Sequence, residues 1–197
     1  MALRDAPQVK DLRLVVLLVG PLVAGLALHA LCRRLGWLRR WHVPIDRGVR
    51  LRRRPLFGAN KTWRGVAAVA AGSALGYALL TVAGLLPGGV APSLSAGQFA
   101  FIGALMGAAA MLGELPTSFL KRQLDIAPGT TGRGALAPVV WLLDQLGVLV
   151  GCWLVLGPIV GFSAPRLAWS ALVVGVARPL ASLAGARLDV ESAARGT

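Results

Sequence analysis

The stretch VAAVAAGSALGYALLTVAGLL, Val66 to Leu86, contains no charged residue. It reaches the ~20 residues with which a helix crosses a bilayer core of about 30 Å. Four more apolar runs behave alike, at 14–32, 93–113, 136–160 and 167–186. All are rich in Gly, Ala and Leu, which lets helix backbones approach closely in lipid. These runs specify an all-α integral membrane protein with five transmembrane helices, forming a single membrane domain over residues 1–197. No small-residue cleavage site follows the run 14–32, so it is expected to stay as a helix rather than act as a signal peptide.

The cations set the orientation. Of 21 Lys and Arg, eleven fall in 33–65, while 87–92 has no charge, 114–135 has Lys121, Arg122 and Arg133, and 161–166 has only Arg166. By the positive-inside rule, the loops 33–65 and 114–135 are cytoplasmic, the N-terminus lies outside and the C-terminus is cytoplasmic. The net charge of +13 would suggest nucleic acid in a soluble chain. Here topology and anionic head groups account for it, no nucleic-acid-binding pattern is present, and membrane lipids are the expected neighbours. Cys32 and Cys152 have neither metal nor disulfide spacing and read as packing residues.

Immediately before Val66 stands FGANKTWRG, Phe57 to Gly65. Gly58 can turn the chain and Asn60 can cap a helix that starts at Lys61 or Thr62. Free amides beside Lys61 and Arg64 would make a phosphate site, and the same cations would also serve as an interfacial anchor with Trp63. In LGELPTSFLKRQLDIAPG, Leu112 to Gly129, a helix would place Glu114, Ser118, Lys121 and Arg122 on one face. That face suits a metal ion and phosphate, or an amphipathic helix with its charges in water. In WLLDQLG, Trp141 to Gly147, Asp144 sits inside an apolar run, where an ionisable group usually faces a polar cavity; an Asp neutralised by Arg122 or Arg133 is the alternative. Arg178 in the last run is a further candidate phosphate contact. All three constellations belong at the cytoplasmic ends of helices.

At these residues the chain resembles the CDP-archaeol synthase family and, more remotely, the phosphatidate cytidylyltransferases. VPIDRG (Val43 to Gly48) is similar to the family's Pro-x-Asp-x-Gly, and GANKTWRG (Gly58 to Gly65) to its G-x-x-K-T-W-R-G. GELPTSFLKRQLDIAPG parallels G-D-x-x-x-S-F-x-K-R-R-x-G-x-x-P-G, and LDQLG parallels L-D-Q-x-D. The resemblance implies a Mg²⁺-dependent, membrane-bound enzyme of phospholipid biosynthesis. It would transfer cytidylate from CTP to a lipid phosphate, either an archaeal-type ether lipid phosphate or phosphatidic acid, and release pyrophosphate. It implies Lys61, Lys121 and Asp144 as catalytic residues, and Asn60, Thr62, Arg64, Ser118 and Arg122 as phosphate-binding residues. Asp144, Glu114 and Asp46 would be the metal ligands. The site would face the cytoplasm from a multi-pass protein of the cell (inner) membrane, and a homo-oligomer is compatible with it.

Three departures stand out: Glu114 where the family usually has Asp, Gly147 where L-D-Q-x-D repeats an acid, and APGTTGRGALAP in place of the cytidylyltransferases' Pro-Gly-His-Gly-Gly. The alternative is a relative that binds nucleotide or anionic lipid without turnover. A transporter would spread charges over several helices at mid-depth, and a CDP-alcohol phosphotransferase would need an Asp cluster at helical spacing; the sequence has neither.

Overall fold

The apolar runs turn into helices wherever they are described. A computed structural model describes residues 7–85, 94–128 and 130–176. Helix α1 runs Pro7–Arg34, α2 Trp63–Val82, α3 Ala96–Gly113, α4 Leu115–Gln123 and α5 Leu136–Val160. A further helix, α6, is described over Ala164–Val176. Among the described residues three spans are long and apolar enough to cross a membrane, namely α2, the continuous stretch Ala96–Gln123 and α5. The charge-free loop 87–92, Arg178 and the far half of the run 167–186 lie outside the described residues.

The helices pack in the order α1, α2, α3, α5, with α4 against α5. Small residues set the spacing. At Gly72 a Cβ would stand 2.7 Å from the Ala24 carbonyl oxygen and from Gly25 Cα, so only glycine lets α2 lie this close to α1. Val15, Val19, Leu22, Val69, Tyr77, Met106, Val148 and Cys152 form the core. Tyr77 stacks on Phe99 with ring centroids 6.4 Å apart. Outward-facing Leu75, Leu79 and Val82 of α2 are 57%, 60% and 81% exposed, an apolar stripe that suits lipid and not water.

Contacts of Arg54 with Gln123 and Asp125, and of Lys61 with Glu114, bring the segments 35–62 and 114–125 together at one end of the bundle. At the opposite end, Arg166 donates to Asp11 at 3.1 Å and ties α6 to α1. The segment 35–62 is folded, not merely charged. Ile45 N–H donates to Lys61 O at 2.8 Å and Trp63 N–H to Val43 O at 3.0 Å, so 43–45 and 61–63 pair antiparallel. Between them, β1 (Arg50–Leu51) and β2 (Arg54–Pro55) form a hairpin. Its tip, Arg52 and Arg53, has φ of 49° and 68°. Both tip residues are thus left-handed, where Asn-Gly is usual and each arginine costs roughly 1–2 kcal/mol.

The hairpin also makes contacts of its own. Arg54 donates to Gln123 O and pairs with Asp125, latching β2 to the end of α4.

Candidate active site

The site is assembled at the helix ends where the two cation-rich segments meet. Asp46 organises the first. Its carboxylate accepts from Gly48 N–H at 3.0 Å, Phe57 N–H at 2.9 Å and Gly58 N–H at 3.1 Å. Burial alone would raise its pKa, but these amides outweigh it and hold the carboxyl below its ordinary 3.8. Asp46, expected as a third metal ligand, has both carboxylate oxygens hydrogen-bonded to the loop backbone. Gly58, with φ of 93°, makes the turn that brings those amides round.

The helix start also differs from expectation. Thr62, not Asn60, is the N-cap of α2: its hydroxyl accepts from Gly65 N–H at 3.3 Å. The pairing of 43–45 with 61–63 keeps Lys61 and Thr62 extended, which delays the helix to Trp63. Asn60 lies just before it, exposed, with its amide oxygen beside Gly58.

From this loop Lys61 reaches the α3–α4 junction and forms an ion pair with Glu114; the two side chains are 14% and 13% exposed. Lys121 on α4 forms the second pair, with Asp144 on α5, at 10% and 18%. Asp144 is therefore paired with Lys121, a partner other than the Arg122 or Arg133 offered by the sequence. The face of α4 that carries Thr117, Ser118, Lys121 and Arg122 is buried, which excludes an interfacial helix with its charges in water. Thr117, which the sequence did not single out, donates to Leu143 O at 3.2 Å and fixes α4 on α5.

Two cations remain. Arg122 is buried, and its Nε has no hydrogen-bond partner among the described residues; the same holds for Arg64 Nε. The Arg122 guanidinium lies against Gly58: a Cβ there would stand at ordinary contact distance, 3.5 Å, from Arg122 Nε and 3.4 Å from Asn60 Oδ1. Lys61, Arg64, Lys121 and Arg122 thus face two carboxylates, an excess of positive charge in a partly desolvated site. Buried donors without partners are rare in proteins, and guanidinium groups match phosphate oxygens in charge and geometry.

His29 of α1 was missed by the sequence analysis. Its imidazole lies against the start of α2, with Cε1 and Nε2 3.5 Å from where a Cβ on Gly65 would be, and it feels the charges of Arg33, Arg64, Lys61 and Glu114. The only signal was an ionisable group inside an apolar run, the same signal that identified Asp144.

Gly147, where a second acid was expected by resemblance, is at the α3–α5 crossing. A Cβ there would overlap the Gly113 carbonyl oxygen, 3.1 Å from Gly113 C and 3.4 Å from Glu114 Cα. A carboxylate has no room. Among the described residues no group of three or more His, Cys, Asp or Glu could hold a metal ion. The acidic part of the site is the pair Glu114 and Asp144.

Residues 18–191 match the family described as CarS-like, CDP-archaeol synthase. The CDP-archaeol synthase of Hyperthermus butylicus is 38% identical over 160 residues, which cover 78% of this chain and 83% of that protein. The CDP-archaeol synthase of Halobacterium salinarum is 42% identical over 112 residues, 54% of this chain; the match spans about half of that relative, 55% of its length. In fold, the chain is similar to the enzyme solved in work described as structural insight into an intramembrane enzyme for archaeal membrane lipids biosynthesis. The TM-score is 0.60 at 23% identity, covering 85% of this chain and 92% of that one.

Proposed function

This chain belongs to the CDP-archaeol synthase family, and we propose that it transfers cytidylate from CTP to the phosphate of an archaeal-type ether lipid. A phosphate oxygen of the lipid forms a bond to the α-phosphorus of CTP as the bond from that phosphorus to the β-phosphate oxygen breaks. Pyrophosphate leaves and the CDP-lipid stays in the bilayer. The observation that carries this reading is the convergence of two lysine–carboxylate pairs with two arginines whose Nε atoms have no partner among the described residues.

Two polyanions must approach one another in this reaction, so the site must neutralise charge before it does anything else. Arg64 and Arg122 take phosphate oxygens directly, with Asn60 and Ser118 at their side. Lys61 and Lys121 exchange their carboxylate partners for phosphates when CTP enters. Glu114 and Asp144, both hard oxygen donors, are the residues to hold Mg²⁺, which needs only one or two carboxylates alongside substrate phosphates. Mg²⁺ there would supply neutralisation of the polyphosphate and of the leaving pyrophosphate. Asp46 holds the loop that presents Lys61, and Thr62 fixes the helix end from which Arg64 projects.

Five membrane spans with the N-terminus outside and the site facing the cytoplasm, in a cell (inner) membrane, complete the proposal. The ion pair Lys61–Glu114 and the latch Arg54–Asp125 support it, because both join the two cation-rich segments that the positive-inside rule assigns to the cytoplasm.

A relative without turnover is the weaker reading. Its main support was the missing acid at Gly147, and that position is a backbone contact. The test is an incubation of purified protein in detergent with labelled CTP, Mg²⁺ and either the geranylgeranyl ether lipid phosphate or phosphatidic acid. An organic-extractable labelled product with the ether lipid, lost on adding EDTA, is expected. No product with either lipid would sink the proposal.

A further inference from the structure

A second cleft opens beside the site, about 290 Å³ in volume and lined by Arg40, Trp41, Val43, Arg47 and Trp63. It contains two guanidinium groups, two indoles and no acid. Asp46, next in sequence to Arg47, is committed to the amides of Gly48, Phe57 and Gly58 and so does not neutralise it. Trp41 and Trp63 are 54% and 42% exposed, large apolar surfaces left open to the outside.

Its position follows from the fold. The cleft lies between the segment 40–47 and Trp63, the first residue of α2, which opens a membrane-crossing span, so it sits at the level where that span enters the bilayer. Indoles favour this interfacial depth, and arginine pairs bind phosphate oxygens bidentately. The cleft is not the CTP pocket. Lys61 is turned inward to Glu114, whereas Trp63, two residues on, faces out.

We propose that this cleft binds the phosphodiester head group of an anionic membrane lipid, which is neither substrate nor product. Arg40 and Arg47 hold the phosphate, and Trp41 and Trp63 cover the glycerol and the first methylenes. The pairing of 43–45 with 61–63 connects this lipid to the segment that presents Lys61.

Native mass spectrometry of the delipidated full chain, titrated with phosphatidylglycerol or phosphatidylcholine, tests this. The wild type is expected to retain one phosphatidylglycerol in preference to phosphatidylcholine. Arg40→Ala with Arg47→Ala should weaken that retention roughly tenfold with unchanged helical circular dichroism. Arg40→Lys with Arg47→Lys, which keeps the charge, should restore part of it. Inorganic phosphate at millimolar concentration should not displace the lipid. Equal retention by wild type and the double alanine variant would overturn the proposal, and so would displacement by inorganic phosphate, which would make this a site for free phosphate. Loss of the lipid in Arg122→Ala alone would also overturn it, by assigning the lipid to the CTP pocket.

Discussion

Gly147 of α5 and Gly113 of α3 meet backbone to backbone. A Cβ on either would overlap the carbonyl oxygen of the other. Glu114 follows Gly113 and Asp144 precedes Gly147 by one turn, so this contact fixes the distance between the two site carboxylates.

Gly147→Ala is therefore expected to push α5 away from α3. Overpacking of this kind costs about 1–3 kcal/mol, and a displacement near 1 Å at the reacting groups costs on the order of a hundredfold in rate. Thermal unfolding and CTP turnover should both fall. Gly147→Asp should fall further rather than gain from an added acid. Higher activity in Gly147→Asp would show that an acid is usable there.

The pair Lys121–Asp144 predicts a separation of stability from activity. Lys121→Met or Asp144→Leu alone breaks this part-buried ion pair, a loss of up to about 3–5 kcal/mol. The double variant removes both charges and should recover most of the thermal stability while staying inactive. Recovery of turnover in the double variant would show that the pair only holds helices together.

Asp46 sets a pH dependence. Its folded pKa lies below the ordinary 3.8, so its contribution is full above that value and is lost as pH falls through the folded pKa. At pH 7, Asp46→Asn should cost about 1–3 kcal/mol, because charge-assisted bonds to buried amides are weakened. Below about pH 4 the melting temperatures of wild type and variant should converge. A constant gap between pH 7 and pH 3 would contradict this.

His29 faces the start of α2 beside Lys61, Arg64 and Glu114. His29→Ala should retain its helical signal and lose about tenfold or more in turnover, as for a polar group that contacts reacting phosphates. Unchanged kcat and KM would make it a packing residue.

Much of this was legible because helices in lipid announce themselves locally. The runs 66–86 and 136–160 became α2 and α5, and the grouping of Lys61, Glu114, Lys121 and Asp144 at one end followed from charge and helix order. What stayed hidden depends on contacts between distant segments. Asn60 and Thr62 are comparable caps, and the pairing of 61–63 with 43–45 chose between them. Nothing local to Asp46 shows that the amides of Phe57 and Gly58 fold back on it. The hairpin at 50–55 carries Arg-Arg where a turn signal would normally stand, so it read as a plain cation run.

Lys61 and Arg52 are cations of the same loop: the Lys61 side chain is 14% exposed beside Glu114, and Arg52 is exposed at the hairpin tip. The most direct measurement compares CTP-dependent labelling of the ether lipid phosphate by Lys61→Ala and Arg52→Ala. A specific phosphate site predicts a loss of at least about a hundredfold for Lys61→Ala and activity within about twofold of wild type for Arg52→Ala. Equal losses from the two would mean that the loop acts through its overall charge and that no such site exists.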